Sequence, residues 1–128
     1  MLVYAQTQGE LSTNSGTFTP IPGLAVTLPR AVKVHALLVL NLPNPFARGN
    51  DFPGGTLGLQ VNGAMAAPVA SFTYNEKVPQ STGRVPTTLS VVIPLSEAQE
   101  TSVVAMWGGV RGSTVIIDSP ATLTAVIG

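Results

Sequence analysis

Short runs of strand-forming residues, separated by glycine and proline, recur along the whole chain and constrain its fold more than any other feature. Helical periodicity is nearly absent. The one helix-like stretch, residues 96–100, is too short to form a stable helix. The runs recur about every 8–12 residues, which is typical of an all-β sandwich, most simply a jelly roll of about nine or ten strands. The predicted strands cover residues 2–8, 17–21, 24–28, 32–42, 56–61, 64–70 (with 71–74 as an extension), 87–94, 102–107, 113–118 and 121–127.

The longest run, residues 32–42, is expected to form a central strand. Its even positions are all apolar, while its odd positions mix leucine and valine with His35 and Asn41. Such a pattern predicts a strand that is covered on both sides over part of its length. His35 is the only histidine, and its place within this run favours a structural role over a catalytic one.

Three glycine-containing segments are predicted to be turns. Pro22-Gly23 separates two predicted strands, and Asn62-Gly63 favours a two-residue type I′ hairpin. Residues 108–112 are predicted to form a tight glycine-rich turn between strands. This last segment is not a phosphate loop, because no Gly-Lys-Ser/Thr sequence and no helix follow it.

Two long loops concentrate the few charges of the chain. Charged residues make up only 9% of the sequence, against about 25% in an average soluble domain. Residues 43–55 and 75–86 are nevertheless predicted to be loops that contain Arg48, Asp51, Glu76, Lys77 and Arg84. Loops longer than the usual length of about 4–6 residues are often functional, so these two are the first places to look for a site.

The scarcity of charge also excludes several kinds of partner. The formal net charge is zero, which argues against nucleic-acid binding through phosphate contacts and against a polybasic membrane-surface module. No apolar run approaches the roughly 20 residues of a spanning helix, so no membrane insertion is expected. A nearly uncharged surface favours association, and we expect an oligomer.

The residue inventory offers little to an enzyme. There is no cysteine and only one histidine, which excludes a thiolate nucleophile and the several histidines of a metal-dependent jelly-roll enzyme. The acids show no calcium-binding pattern, and nothing in the sequence singles out a catalytic carboxylate pair. We expect no enzymatic activity, no metal and no cofactor.

The organisation of the chain is simple. The length of 128 residues suits one domain spanning residues 1–128, and there is no internal repeat or linker. The first residues lack the basic region and the long apolar stretch of a signal peptide. Localisation therefore stays open between the cytoplasm and release to the cell surface by another route.

The remaining polar side chains suit a neutral polyol such as a sugar. Guanidinium groups offer a rigid fork of donors to neighbouring hydroxyls, and Ser, Thr and Tyr hydroxyls both donate and accept. By composition alone, Ser, Thr and Tyr in strands are more often ordinary surface residues. The residues of this set are Thr73, Tyr74, Ser81, Thr82, Arg84 and Arg111.

Several longer motifs make the sugar interpretation more specific. They are NLPNPFARGNDFPG (41–54), FTY (72–74) with KVPQSTGRVP (77–86), Trp107 with VRGS (110–113), and IDS (117–119) with ATL (121–123). These segments resemble a family of TNF-like bacterial lectins, typified by the N-terminal fucose-binding domain of a two-domain Burkholderia superlectin. The resemblance runs from about residue 21 to the end of the chain, and the first 20 residues match loosely.

The resemblance implies a TNF-like jelly roll that assembles as a homotrimer. It also implies calcium-independent binding of fucosylated oligosaccharides at sites between neighbouring protomers. The corresponding site residues are those of the polyol-binding set above, divided between two chains. Two positions depart from the family pattern, because Phe46 and Thr56 stand where the family has tyrosines. Both changes are expected to alter binding beyond the first sugar.

Two other functions remain open at this point. The losses at Phe46 and Thr56 motivate a trimeric structural or protein-binding module that has lost or changed its sugar specificity. An enzyme has little support from the residues. The exact glycan, the linkage preference and the presence of a second domain in the natural protein are not determined by these patterns.

Overall fold

The computed structural model describes all 128 residues as an all-β protein without a helix. This confirms the fold class expected from the spacing of the strand-forming runs. The strands are β1 (Leu2–Gln6), β2 (Leu11–Thr13), β3 (Thr19–Leu28), β4 (His35–Leu42), β5 (Phe46–Arg48), β6 (Gly54–Val61), β7 (Ala64–Met65), β8 (Ala70–Thr73), β9 (Thr87–Pro94), β10 (Thr101–Val110), β11 (Thr114–Ile117) and β12 (Thr122–Ile127). No helix of the kind that spans a membrane is present.

The strands form a jelly-roll-like sandwich of antiparallel sheets. One sheet has the order β1-β12-β4-β9 and is called here the β4 sheet. The second, called the β10 sheet, has the order β3-β10-β6-β7, with β8 also paired to β6. A third, small sheet of order β2-β11-β5 lies at one end. Most neighbours in a sheet are distant in sequence, so the fold depends on long-range pairing.

The core lies between the two large sheets and follows from the alternation of side chains along the strands. In β9, every second residue from Thr87 to Ile93 is buried and the residues between are exposed. In β4, the buried positions are 36, 38, 40 and 42, as the apolar even positions predict. Facing them from the β10 sheet, Trp107 is 1% exposed and is among the largest fully buried side chains. A single cluster of 25 buried residues results.

The central strand is shorter than expected. It begins at His35 rather than at residue 32, and His35 is exposed at its first position. Lys33 stands just before it with a φ of 55°, a left-handed conformation that interrupts an extended strand. The interruption explains why the apolar pattern reaches further towards the N-terminus than the strand does.

The expected turn at Pro22-Gly23 is wrong, because β3 runs without a break through both residues. The pairing with β10 shifts between Val104 and Met106, which lie opposite Ala25 and Pro20. The step from Pro20 to Ala25 is five residues while the step from Val104 to Met106 is two, so the pairing is irregular here, and Gly23 within this interval has a φ of 87°. The Pro-Gly pair therefore lies within one strand where a turn was expected to separate two.

The Asn62-Gly63 hairpin is confirmed. Both residues have positive φ, 49° and 85°, as a type I′ turn requires. The strand that follows is only two residues long, and the chain leaves the sheet before it returns to β6 as β8. The predicted strand 64–70 is thus two short strands at one edge of β6.

The sequence predicted that residues 108–109 belong to a turn, but they lie in β10. The turn lies at Arg111-Gly112, where φ is 49° and 75°. Gly109 is needed for close packing rather than for chain reversal, because a Cβ placed on it lies 2.0 Å from the carbonyl oxygen of Ser113. The turn therefore begins three residues later than the position predicted from the glycines.

The first long loop, residues 43–55, is more ordered than expected. It contains β5, which pairs with β11 opposite Thr114 to Ile116. On the other edge of β11 lies β2, which was also not predicted. Both strands have only three residues, too few for a clear alternation of apolar and polar positions to appear in the sequence.

The strands of the β4 sheet carry no Asp, Glu, Lys or Arg. We define the outer face as the side of this sheet that points away from the core. One row across it consists of Leu2, Val126, Leu37 and Val92, which are 64%, 45%, 40% and 63% exposed. Another row, four residues along each strand, consists of Gln6, Thr122, Asn41 and Thr88. The outer face is therefore apolar at one end and polar but uncharged at the other.

The close approach at Gly109 generates a stability prediction. Gly109→Ala is expected to lower the free energy of unfolding by at least about 2 kcal/mol, because the added methyl group overlaps backbone that cannot move aside easily. The measurement is urea denaturation followed by circular dichroism. Gly16→Ala is the matched control, since a Cβ there meets nothing within 4 Å. Equal stability of the two variants would contradict the assignment.

Candidate functional site

Four segments of the chain meet at one end of the sandwich. The first long loop touches the second, because the Phe52 N–H donates to the Lys77 carbonyl at 3.0 Å and the Val85 N–H to the Pro45 carbonyl at 2.8 Å. The segment after β11 joins them through a 3.2 Å hydrogen bond from Asn44 to the Ser119 hydroxyl. The β10–β11 turn contributes the fourth segment. This end contains both arginines that the sequence singled out.

Arg111 lies in a first cluster of polar groups. Its Nε donates to the carbonyl oxygens of Asp51 at 2.9 Å and Phe52 at 3.1 Å. Its Nη2 donates to the Phe52 carbonyl and to the Thr73 hydroxyl, the latter at 2.5 Å. Two predicted site residues, Thr73 and Arg111, are therefore in direct contact. The guanidinium is held by neutral oxygens, so its charge is not cancelled by a carboxylate.

Arg84 lies in a second cluster. Its Nη2 forms the one ion pair of the chain, 2.7 Å from Oδ2 of Asp118. Its guanidinium carbon stands 4.0 Å from the centroid of the Phe46 ring, and that of Arg48 stands 5.5 Å from it. Both geometries are cation–π contacts. Phe46 itself is only 7% exposed, so the ring supports two guanidinium groups and offers little surface of its own.

Tyr74 connects the two long loops. Its hydroxyl donates to the Gly83 carbonyl at 2.6 Å and accepts from the Ala47 N–H at 3.3 Å. Its ring packs edge to face against Phe72, with centroids 6.2 Å apart. Gly83 precedes Arg84, so this tyrosine orients the loop segment from which the second arginine projects.

The remaining predicted residues are not joined to either arginine by a side-chain hydrogen bond. Thr56 is half-buried on β6, where its hydroxyl lies 3.0 Å from that of Ser71. Ser81 is exposed and Thr82 half-buried in the second long loop. The hydroxyls of Ser81 and Thr82 have no hydrogen-bond partner within the chain.

Sequence reasoning missed three contributors to this region. Asp118 pairs with Arg84, Arg48 stands over Phe46, and the Phe52 carbonyl anchors Arg111. The concentration of charge in the loops was the available signal for Arg48. Asp118 and Phe52 lie within the motifs that carry the family resemblance, but the sequence does not pair them with the arginines, because their contacts join segments that are far apart along the chain.

The region is rich in side chains that form hydrogen bonds. No group of three or more metal-ligating side chains is present, and no buried polar side-chain atom lacks a hydrogen-bond partner. What the region offers is guanidinium donors, hydroxyls and the exposed carboxylates of Asp51, Glu76 and Asp118. These groups suit a ligand that is rich in hydroxyls.

Comparison with known families decides the relationship. The family model described as "Bc2l-C, N-terminal domain" matches residues 6–126. The chain belongs to the Bc2l-C N-terminal domain family. This is a family of lectin domains known for binding fucose, and it is not a family of enzymes. The resemblance seen in the loop motifs is confirmed, and the match also extends into the first 20 residues, where only a loose likeness was expected.

The other comparisons add little to the assignment of the chain to the Bc2l-C N-terminal domain family. No curated protein matches the chain. Among solved structures, the chain is similar to one titled "Structure of infectious bursal disease virus Gx strain", with 14% identity and a TM-score of 0.36. The alignment covers 98% of this chain and 36% of that one, so the chain spans little more than a third of the viral protein's length.

The Arg84–Asp118 pair generates a second prediction. Because the two side chains are 43% and 38% exposed, Asp118→Asn is expected to change the free energy of unfolding by less than about 1 kcal/mol. Chemical denaturation at low salt measures this. Glu76→Gln, at an exposed acid without an ion pair, is the matched control. A loss above about 2 kcal/mol would show that the pair supports the fold.

Proposed function

We propose that the chain is a calcium-independent lectin that recognises fucosylated glycans at sites between neighbouring protomers of a TNF-like homotrimer. Membership of a family of lectin domains supports carbohydrate binding. The division of the site residues into two clusters around Arg84 and Arg111 is the observation that carries the inter-protomer site. No side-chain hydrogen bond or ion pair joins one arginine cluster to the other.

Each cluster is suited to be half of a site. The Arg111 cluster offers a guanidinium without a carboxylate partner, together with the Thr73 hydroxyl. The Arg84 cluster offers a guanidinium and the Asp118 carboxylate, which accepts hydrogen bonds from sugar hydroxyls. Sugars present hydroxyl groups on several sides, so two such half-sites facing one another can satisfy more of them than either alone.

The single chain forms no concave pocket at this end, which also favours a shared site. The one pocket of the chain is lined by Pro29, Arg30, Gln99 and Glu100. It lies at the other end of the β10 sheet, where Leu28 pairs with Thr101, whereas the site end is where Gly54 pairs with Val110. Small-molecule sites are normally concave, and a neighbouring protomer would supply the missing wall.

The outer face of the β4 sheet supports the homotrimer. A row of four apolar side chains exposed to water is costly, and nothing charged lies on the strands of this sheet. Burial of this face against two further copies removes the apolar row from water without desolvating a charge. Its polar end, with Asn41 and Thr122, leads directly into the loops around Arg84, so packing through this face brings neighbouring sites close together.

The proposed roles follow from the contacts. Arg84 and Arg111 donate to sugar hydroxyls, with Thr73 beside Arg111. Ser81 and Thr82 close the site from the second long loop. Tyr74 positions that loop, because its hydroxyl already bonds to Gly83 and Ala47. Several weak sites on one assembly would gain avidity on a glycan-covered surface.

The second candidate is a trimeric module with lost or changed sugar specificity. It is favoured by the two positions where the family has tyrosines. Phe46 is covered by guanidinium groups, and the Thr56 hydroxyl is engaged by Ser71. Neither residue provides an open aromatic wall. Titration of the wild-type protein with methyl α-fucoside, with and without EDTA, distinguishes the two: equal binding in both conditions supports the lectin, and no binding to any fucoside supports the second candidate.

Arginine variants test the shared site. Arg84→Ala and Arg111→Ala are each expected to weaken fucoside binding at least about tenfold, because each removes charged hydrogen-bond donors. Calorimetric titration measures the affinity, and sedimentation confirms that the oligomer persists. Arg30→Ala, an exposed arginine at the opposite end, serves as the control.

Mixed oligomers of the two arginine variants test whether the two arginines of one site come from the same protomer or from neighbouring protomers. If each site takes Arg84 from one protomer and Arg111 from the next, co-assembly restores about a quarter of the sites by random assortment. If both arginines of one chain serve the same site, no mixture restores binding. The second result would sink the inter-protomer site.

A charge on the outer face tests the trimer. Val92→Asp is expected to convert the oligomer to monomers, because the carboxylate would be buried between protomers without a partner. Sedimentation velocity measures the mass, and circular dichroism checks that the fold is kept. Val69→Asp is the matched control, since Val69 is 50% exposed outside the β4 sheet. An unchanged trimer with Val92→Asp contradicts this interface.

A further inference from the structure

Phe52 combines two unfavourable features at the rim of the Arg111 cluster. Its φ is 47°, in the left-handed region that bulky side chains seldom adopt. Its ring is 40% exposed, although aromatic side chains gain most from burial. Phe52 is absent from the core cluster and from the side chains that pack against it. Neither the conformation nor the exposure is explained by packing within the chain.

The conformation of Phe52 is held by hydrogen bonds from both sides. Its N–H donates to the Lys77 carbonyl at 3.0 Å, and its carbonyl accepts from Nε of Arg111 at 3.1 Å and from Nη2 of the same residue. Arg111 itself has a φ of 49°. Two of the four non-glycine residues with positive φ are thus bonded to each other. Backbone strain of this kind clusters at functional sites, where the surroundings enforce it.

The backbone of Phe52 connects an exposed apolar segment to the Arg111 cluster. Val78, the residue after the hydrogen-bonded Lys77, is 62% exposed. The Phe52 carbonyl accepts from the Arg111 guanidinium, whose Nη2 lies 2.5 Å from the Thr73 hydroxyl. An exposed aromatic residue whose backbone is bonded to a hydroxyl-binding guanidinium matches the two-sided character of a sugar, which has hydroxyl edges and an apolar C–H face.

We propose that Phe52 is a specificity-determining residue whose ring contacts the apolar C–H face of the saccharide bound at Arg111. This inference rests on the proposed lectin function and adds a residue to its site. Arg111 then acts in two ways, because one guanidinium binds the ligand and fixes the backbone that presents the ring. Phe52 supplies the aromatic wall that Phe46, buried under two guanidinium groups, does not provide.

Ring removal that preserves the backbone tests the proposal. Phe52→Gly and Phe52→Asn both favour a left-handed φ, so each is expected to keep or raise the melting temperature. Each is also expected to weaken binding of methyl α-fucoside, of a fucosylated trisaccharide, or of both, by about threefold to tenfold. Phe52→Tyr, which keeps the ring, is expected to bind as the wild type does. Calorimetric titration and thermal unfolding provide the two readouts.

Lys33→Gly is the matched control, because Lys33 is exposed and has a φ of 55° away from the site. It relieves the same kind of strain and is expected to leave binding unchanged. If both ring-removing variants bind with wild-type affinity, the proposal is overturned. It is also overturned if only Phe52→Gly loses affinity, because the loss would then come from a more flexible loop and not from the missing ring. A fall in melting temperature or dissociation of the oligomer also overturns it, because the ring would then be structural.

The outcome for the wild type separates this proposal from the function on which it rests. A wild-type protein that binds no fucoside overturns the lectin function and the role of Phe52 together. A wild type that binds, with ring-removing variants that bind equally well, overturns only the role of Phe52. A loss confined to the trisaccharide supports contact with the sugar next to fucose, and a loss with both ligands supports contact with fucose itself.

Discussion

The Ser113 hydroxyl and the two glycines packed near it, Gly54 and Gly109, form the junction on which the end of the sandwich with Arg84 and Arg111 depends. Ser113 is 1% exposed and accepts a 3.1 Å hydrogen bond from the Gly54 N–H while donating to the Val110 carbonyl. A Cβ on Gly54 or on Gly109 would lie 2.0 Å from a backbone oxygen of a neighbouring segment. This tight packing joins β6, β8, β10 and the start of β11, and it determines where Arg111 and Thr73 emerge.

Charge is distributed unevenly over the surface of the chain. The β4 sheet carries no charged side chain on any strand, whereas guanidinium groups gather on the loops at one end. The guanidinium groups of Arg48 and Arg84 stack on the Phe46 ring, and that of Arg111 donates to backbone carbonyls. Of the three, only Arg84 is also paired with an acid. Backbone oxygens and aromatic faces orient a guanidinium without cancelling its charge, which leaves it available to hydroxyl groups.

Particular residues show how far the sequence could predict this structure. The alternation in β9 and the Asn62-Gly63 hairpin were predicted correctly, because local preference and burial agree there. Pro22-Gly23 was predicted wrongly, because β3 continues through an irregular stretch of pairing with β10 that local turn preference does not reveal. At the site, Arg84 and Arg111 were predicted from their scarcity and motifs. Asp118 and Phe52 were not, since their importance depends on contacts between distant segments.

The sequence by itself determined the all-β fold class and the family, because these follow from periodicity and long local motifs. Only the tertiary structure decided how the polar residues are grouped. It brought Thr73 to Arg111 and Asp118 to Arg84, and it held Phe52 in a left-handed conformation. The physical reason is that antiparallel pairing joins strands far apart along the chain, so the neighbours of a loop residue are set by the register of the sheets.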